Sequence, residues 1–599
     1  MPKNSSLQAD FIFPFFGWRA ENGWGNNDMY ITFFLLQNGA TTTAVEESLK
    51  QIAYRSFEPF KMIEANFSLE SLNDVHFSSL TFDSVIKGNK SLVMIFVLTA
   101  LVILIISCIN FANLFVSTSF IRAKAIGIRK TVGAKNRRLI RDFYWETACY
   151  VIIAIVFGLA LTFLIMPVFN NFTRSTLILD FTTPLLYLFL SGLFVMVVLL
   201  AGSFPALYMT RFNVIETLKG KLKGKKISFF QKTLVITQFT ASITLLIVVA
   251  FMQKQVNYII FYDLGFNKEN VIYVQGREKF EQNFKALEGE FLTEPSITSV
   301  ARRNHLPTNW SNGWPIQKLP LDNIPLVIMD ICWVSPNHFD FFDMQIIAGE
   351  NPFFYESVTR YDVLINESAA RILGLEQPVG EYLTNGWDED RYMIRGLVRN
   401  ANTRSLHQEV DPQIYIKLES EMWNMVFFKI SGDPQRAINF IEQKWKEREA
   451  DYPFEYHFLD DTYHQLYTSE MNSGKVLSFA MLITLIITVA GLFAMAYYAT
   501  QRRVREVAIR KVYGASLKDI FVLLNKDFVL WVAIAFMIAC PLAFFGLQKW
   551  LEGFVVKTSL SAWVFLLVGA VALLITLFTT AYQTWKVATA NPVKYLKTE

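Results

Sequence analysis

Seven apolar runs punctuate the chain: Ser91–Phe120, Tyr144–Val168, Leu185–Met209, Leu234–Met252, Val476–Tyr498, Phe528–Leu547 and Ala562–Tyr582. Each has the roughly 20 residues that a helix needs to cross the hydrocarbon of a bilayer, so each is predicted to be a membrane helix. Between Met252 and Val476 the pattern changes. Asn270–Val274, Val363–Ile365, Met393–Val398 and Val426–Ile430 read as short strands. Phe280, Phe284, Leu287 and Phe291 recur at helical spacing, and Asp433 followed by Pro434 signals the start of a helix bearing Ile438, Ile441 and Trp445. The stretch Gln253–Lys475 is long enough for a core of its own, divided into two subdomains.

Polar positions assign sides to these spans. Arg122, Lys124, Arg129, Lys130, Lys135, Arg137, Arg138 and Arg141 crowd the loop after the first span, and Lys219–Lys226 and Arg502–Lys518 are similarly basic. The bias of cytoplasmic loops toward Lys and Arg puts these segments inside the cell. The loops around Asn170 and Glu552 are nearly neutral, as external loops are. Alternation then sends residues 1–90 and 253–475 outside and the C-terminus to the cytoplasm. Met1–Lys90 has no signal peptide, because Phe11–Trp18 is short and broken by Pro14. A further membrane helix upstream of Met1 is therefore expected.

One phrase occurs twice behind a span: RAKAIGIRKTVGA at Arg122–Ala134 and RVREVAIRKVYGA at Arg503–Ala515. Arg510 lies 381 positions after Arg129, and Asn591 lies 378 after Asn213, so the two copies keep register through three spans to the tails Asn213–Lys219 and Asn591–Lys597. Both copies have the same orientation, which makes this a parallel duplication. On a helix Arg122 and Arg129 share a face, as do Arg503 and Arg510, while Ile128 with Val132 and Ile509 with Tyr513 share another. Gly133 and Gly514 fit left-handed helix stops, and Ser516 with Asp519 fits a capping box for the next helix. Basic residues after a span also serve as topology determinants and lipid-headgroup contacts. Topology alone does not require Gly at a fixed place, so the repeated Arg-Lys-x-x-Gly-Ala pattern is read as an elbow suited to receiving force from a cytoplasmic partner.

Composition narrows the chemistry. The chain is 52% hydrophobic and 18% charged, below the quarter or so of soluble chains. Its net charge is only +4, and the basic residues sit beside spans, so no nucleic-acid footprint exists. Cys108, Cys149 and Cys540 lie in apolar runs and Cys332 stands alone, which suggests neither a disulfide framework nor a Cys-based metal site. ATP binding would need a Gly-rich loop ending in Gly-Lys-Ser or Gly-Lys-Thr; Gly474-Lys475-Val476 fails that test. No ionisable side chain sits at a span centre, which disfavours ion-coupled transport. Asn110, Asn113 and Gln238 are expected to hold helices together. His305, His338, His407, His457 and the group Asp460, Asp461 and His464 lack a third ligand at fitting spacing or a nucleophile paired with a base. They are expected to be solvated or capping residues, with no catalytic, cofactor or metal site. Trp310 and Trp314 are expected to pack a turn.

The chain resembles FtsX-like permeases of the MacB type, the membrane subunits of certain bacterial ATP-binding-cassette transporters, in a form with two permease units in one chain. The resemblance rests on GNKSLVMIFVLTALVILIISCINFANL (Gly88–Leu114), both elbows, VLINESAARILGLEQPVGEYL (Val363–Leu383) and the closing NPVKYLK. One departure is Ala125, where the family usually has the Glu found at Glu506.

The resemblance implies an α-helical polytopic membrane protein with mixed α+β extracytoplasmic domains and two parallel repeats. Residues 1–90 would then be the C-terminal part of a first extracytoplasmic domain and 91–220 the first transmembrane unit. Residues 221–252 would be a linker and lead-in helix, 253–475 the second extracytoplasmic domain, and 476–599 the second transmembrane unit. The implied function is that of a non-enzymatic permease subunit in the bacterial inner membrane. A separate cytoplasmic ATPase would push elbows formed by Arg122, Arg129, Lys130, Gly133 and Ala134 and by Arg503, Arg510, Lys511, Gly514 and Ala515. The movement would export or release a peptide, drug or lipoprotein. Membrane lipid and a periplasmic adaptor or outer-membrane protein are the other implied partners, and no cofactor is implied. The alternative is a non-transporting relay that controls an extracytoplasmic cell-wall hydrolase or sensor.

Overall fold

The computed structural model describes residues 32–56, 66–72, 74–78, 90–173, 176–210, 225–281, 284–309, 313–319, 327–385, 390–418 and 425–589. The two matched tails and Trp310 lie outside them. The chain divides into two bodies. A helical body comprises Leu92–Ile260, Thr468–Gly553 and Lys557–Glu599, and a mixed α/β body contains Phe261–Tyr467 and Phe554–Val556 together with the chain up to Ser91.

Following the chain, a short helix α1 (Thr42–Ser56) precedes the first membrane run. Four long helices then carry the first four runs: α2 (Lys90–Thr131), α3 (Asn136–Thr173), α4 (Pro184–Thr210) and α5 (Lys225–Ile260). The mixed body follows with β1 (Val271–Gln275), α6 (Glu278–Glu281), α7 (Phe284–Phe291), β2 (Ile297–Arg303), β3 (Gly313–Lys318) and β4 (Val327–Val334). It continues with α8 (His338–Phe341), β5 (Ile346–Gly349), β6 (Asp362–Asn366), α9 (Glu367–Ile372), β7 (Tyr382–Asn385) and β8 (Arg391–Val398). It ends with β9 (Gln413–Lys417), β10 (Met425–Ile430), α10 (Pro434–Arg448), β11 (His457–Phe458) and α11 (Leu459–Leu466). The last three membrane runs form α12 (Thr468–Val512), α13 (Leu517–Leu551) and α14 (Ala562–Thr589). Among the described residues seven helices are long and apolar enough to cross a membrane.

The repeat read from the sequence is a repeat of helices. α2, α3 and α4 have 42, 38 and 27 residues, and their counterparts α12, α13 and α14 have 45, 35 and 28. α2 and α12 outlast their apolar runs and continue through the basic segment, because Arg, Lys, Ala and Ile all sustain helical hydrogen bonding once a helix is under way.

Inside a bilayer, lipid tails are as apolar as leucine, so close approach of small residues and interhelical hydrogen bonds hold helices together. The helical body uses both. Ala535, Ala539 and Ala543 of α13 are buried and share one cluster with Phe239, Ile243 and Ile247 of α5. The Phe536 ring lies so close to Gly569 of α14 that a Cβ there would sit 2.7 Å from it. Ser242 and Thr488 share a hydrogen bond of 2.8 Å between α5 and α12, and Asn525 donates to Thr584 at 3.2 Å between α13 and α14. In the first repeat, Ala154 and Gly158 of α3, the counterparts of Ala535 and Ala539, are exposed. Asn110 joins two helices as expected, donating to the Ile487 carbonyl. Asn113 does not: it is fully buried and neither amide atom has a hydrogen-bond partner.

In the mixed body, eleven strands form one continuous sheet with two cores. β11, β1, β10 and β2 are antiparallel neighbours. The apolar faces of α7 (Phe284, Leu287, Phe291) and α10 (Ile438, Ile441, Trp445) are buried on them. The expected strands lie in β1, β6, β8 and β10, and α10 starts where Asp433 accepts the Gln435 amide at 3.0 Å with Pro434 in the first turn. The second core fills a closed ring ordered β4, β3, β7, β8, β6 and β9, with β9 pairing back in parallel onto β4. Ile316, Ile331, Val363, Ile394 and Ile414 belong to its core. Alternation along β8, with Tyr392, Ile394 and Val398 buried, is the period of two that a half-buried strand requires. The ring joins the first sheet where Arg303 of β2 pairs with Val334 of β4. Each fully buried Phe or Leu contributes about 1.5–3 kcal/mol, so Phe280, Leu287 and Phe291 are principal anchors of the first core.

Candidate functional site

Both elbows have the same backbone. α2 ends in two hydrogen bonds, Gly133 N–H to Lys130 O at 3.0 Å and Ala134 N–H to Arg129 O at 3.0 Å. α12 ends in Gly514 N–H to Lys511 O at 3.1 Å and Ala515 N–H to Arg510 O at 3.0 Å. This 5→2 and 6→1 pair is the Schellman arrangement, which satisfies carbonyls that a helix end leaves open and needs a left-handed residue at its turn. Gly133 and Gly514 supply it, with φ of 94° and 89°. Nothing lies within 4 Å of where a Cβ would stand at either position, so backbone conformation and not crowding selects glycine there.

The exposed surfaces also agree. Ile128 and Val132 are 49% and 84% exposed, and their counterparts Ile509 and Tyr513 are 43% and 87% exposed. Arg129 and Arg510 are exposed beside them. Each elbow thus presents an uncovered apolar pair flanked by guanidinium groups at the end of a long helix.

The two elbows differ in their bracing. Ser516 and Asp519 form a capping box at the start of α13, each side chain accepting from the other residue's amide, at 3.2 Å and 3.0 Å. The Ser516 hydroxyl also donates to the Asp519 carboxylate at 2.6 Å. The first elbow has Lys135 and Arg138 at these places. Glu506 pairs with Arg510 at 2.9 Å one turn away, whereas Ala125 offers Arg129 no carboxylate. Arg503 pairs with Asp527 of α13 at 3.0 Å, and Lys511 donates to the Ala588 carbonyl of α14 at 2.8 Å. The counterparts of Arg503 and Asp527 are Arg122 and Glu146; the Arg122 side chain lies outside the described residues. Beside the second elbow an apolar groove of about 450 Å³ runs between α13 and α14, lined by Leu517, Phe521, Tyr582 and Trp585.

The mixed body holds a buried polar group that was not foreseen. Arg303, His305, Asp330, Cys332 and His338 are buried where β2 meets β4. His305, Asp330 and Cys332 bring ligand atoms within 4.8 Å of one another, a spacing that could suit a metal ion. The Arg303 guanidinium already occupies that position: Nη2 lies 3.0 Å from Cys332 Sγ, 3.2 Å from His305 Nε2 and 3.8 Å from Asp330 Oδ2. A fixed cation among the three donors opposes a second one, so the donor set does not fit a metal. Burial, and then the Arg303 charge, depress His305, while its bond to Asp330 works the other way. Burial likewise holds His338 well below the ordinary imidazole range and Cys332 well above the ordinary thiol range.

His305 and His338 are thus core residues and not solvated or capping ones, a correction that follows from their positions beside β2 and on α8 under the aromatic rings of Phe342 and Tyr415. His407 lies against Phe554 with centroids 4.3 Å apart and the rings tilted by 34°, and His457 lies 5.3 Å from the ring of Tyr273. Asp460, Asp461 and His464 all lie on α11. Trp314 packs against Trp333 and Tyr392. The signal for the Arg303 group was strand parity, since Arg303 falls on the same side of β2 as the buried Ile297 and Ala301.

Comparison with known proteins bears on the helical body. Residues 97–214 and 478–592 each match the family model described as FtsX-like permease C-terminal. The chain is 31% identical over 144 residues to the macrolide export ATP-binding/permease protein MacB of Campylobacter jejuni subsp. jejuni, in both serotype O:23/36 and serotype O:2 strains. That stretch is 24% of this chain and 22% of the relative, so the match spans little more than a fifth of the relative's length. The solved periplasmic region of MacB from Actinobacillus actinomycetemcomitans aligns with 35% of this chain and 97% of its own length, at 14% identity and a TM-score of 0.26. Both membrane units, each three long helices with a Schellman stop after the first, are thus similar to the FtsX-like permease C-terminal family.

Proposed function

We propose that this chain is the membrane-spanning subunit of an ATP-binding-cassette transporter, with its basic elbows in the cytoplasm and its mixed α/β body outside. A separate ATPase docks on the elbows, and its closure on ATP moves α2 and α12, which carry the movement toward the external parts of the chain. That movement expels or releases a substrate such as a peptide, drug or lipoprotein. The observation that supports this reading is the pair of elbows with one backbone geometry and matching uncovered apolar pairs. Topology signals need positive charge alone, whereas a docking surface needs a fixed shape, desolvatable apolar side chains and flanking charge. Arg129 and Arg510 would then meet acidic groups on the partner. The separate subunit hydrolyses the ATP.

The test is reconstitution of the purified chain in vesicles with its co-expressed ATPase. Hydrolysis is expected to need the ATPase and to be stimulated by the chain, and substitution of Ile128, Val132, Ile509 and Tyr513 together by Ser should abolish the stimulation. Robust hydrolysis by the chain alone, or stimulation that survives the fourfold change, rejects the reading.

A further inference from the structure

The apolar groove of about 450 Å³ between α13 and α14 has firm walls and no cover. Ile520 and Leu524 of α13 share a buried cluster with Ala588 of α14, and Asn525 donates to Thr584 at 3.2 Å between the two helices. Leu517, Tyr582 and Trp585, which line the groove, are nevertheless exposed. Its volume is that of a site for a small molecule.

The spans fix its level in the membrane. The apolar run of α13 begins at Phe528 and that of α14 ends at Tyr582, so Tyr582 stands at the edge of the hydrocarbon while Leu517 and Ala588 lie beyond it. Tyr and Trp concentrate at this boundary, where an apolar ring with a polar tip is best placed. The groove therefore opens onto lipid tails at its Tyr582 end and extends into the headgroup layer at its Leu517 end. This placement holds for either face of the membrane. Apolar surface among headgroups is wet unless something apolar covers it, and an acyl chain that rises from the bilayer along the groove covers it.

Charge at the margin selects the lipid. Lys518 lies one turn from Phe521, and Lys586 one turn from Tyr582, each on the side away from the hydrocarbon. Both lysines are exposed. The carboxylates of the two helices, Asp519 and Asp527, are engaged elsewhere: Asp519 accepts from the Ser516 amide and hydroxyl, and Asp527 pairs with Arg503. Two uncommitted ammonium groups thus flank an apolar channel at headgroup height. A phospholipid of net negative charge satisfies both features at once, whereas a zwitterionic one brings a cation of its own and gains less.

We propose that this groove binds an anionic phospholipid of the phosphatidylglycerol kind. An acyl chain lies along Phe521 and Trp585, and the phosphate sits between Lys518 and Lys586.

The test uses Trp585 as the reporter. It is one of 13 tryptophans, so its fluorescence is taken as the difference between the chain and Trp585→Phe. The purified full chain is reconstituted in phosphatidylcholine vesicles with increasing fractions of phosphatidylglycerol brominated near the headgroup end of its acyl chains, or of phosphatidylcholine brominated alike. Bromine on the chain quenches only a tryptophan that the lipid touches, and free phosphate gives no signal. The Trp585 component should be quenched at a roughly tenfold lower fraction of phosphatidylglycerol than of phosphatidylcholine. Lys518→Gln with Lys586→Gln should bring the two lipids to the same curve. Equal quenching by both lipids, quenching by neither, or a preference that survives the double change overturns the proposal. None of these arms needs the ATPase, so they stand apart from the coupling role of the elbows. In the complex with the co-expressed ATPase, persistent quenching supports the lipid, and its loss assigns the groove to that protein and overturns the proposal.

Discussion

Gly133 and Gly514 hold the same left-handed backbone 381 residues apart and close the same two hydrogen bonds at the ends of α2 and α12. A side chain at either place costs about 1–2 kcal/mol in conformation, more if β-branched and less for Asn. Gly133→Val with Gly514→Val should therefore uncouple ATP hydrolysis, while the corresponding Asn changes should leave it near the parent level. Stimulated ATPase activity of the reconstituted complex, with thermal unfolding of the chain as a control for its integrity, measures the difference.

Arg303 and Asp330 form an ion pair whose side chains are 1% and 2% exposed. Removing one partner of such a pair strands a buried charge at a cost of about 3–5 kcal/mol, whereas apolar replacement of both is close to neutral. Arg303→Met should lower the unfolding midpoint of the full chain sharply, and Arg303→Met with Asp330→Leu should recover most of the loss. A double variant as unstable as the single would show that the pair acts through more than its charges.

His338 and His305 both have imidazoles held below the ordinary range by burial and by the Arg303 charge. Their folded values lie beneath the unfolded value of about 6.5, so below that pH the unfolded chain binds more protons than the folded one. Stability should be constant above about pH 6.5 and fall as the pH drops. His338→Phe should flatten this dependence, as measured by chemical unfolding of the chain between pH 7.5 and about pH 5.

Arg503 and Asp527 brace α12 against α13, with side chains that are roughly one-third exposed. Partly exposed pairs contribute about 0.2–1 kcal/mol, so Arg503→Glu should weaken coupling without unfolding the protein, and adding Asp527→Arg should restore it. The same exchange at Arg122 and Glu146 should behave alike if the first elbow is braced in the same way.

Reporter fusions test the sides directly. Fusions after Lys135 and after Lys518 should report the cytoplasm, and fusions within Phe181–Thr183 and after Glu552 should report the outside. Reversal of these signals would remove the elbows from any cytoplasmic partner.

Features legible in the sequence were those whose cause is local. A membrane helix is announced by its apolar length, a Schellman stop by glycine after a basic turn, and α10 by Asp433 and Pro434 ahead of Ile438, Ile441 and Trp445. The ring in the mixed body was not legible, because its closing pair, β4 with β9, joins strands far apart in the chain and leaves no mark on either. The Arg303 group escaped because a charged residue at the end of a strand reads as solvated. Only the arrival of Asp330 and Cys332 from β4 makes it interior. Asn110 was assigned to helix contact correctly, but Asn113, with the same chemistry three residues on, meets no partner, since sequence does not say which neighbour each helix face will find.

The first strand of the mixed body pairs with its last two: β1 lies between β10 and β11, matching Ile272 to Phe428 on one side and to Phe458 on the other. Entry and exit of this body are therefore stitched side by side, so the sheet closes on its own two ends. A body closed in this way can be enlarged, reshaped or exchanged over evolutionary time without lengthening the helices that flank it in the chain.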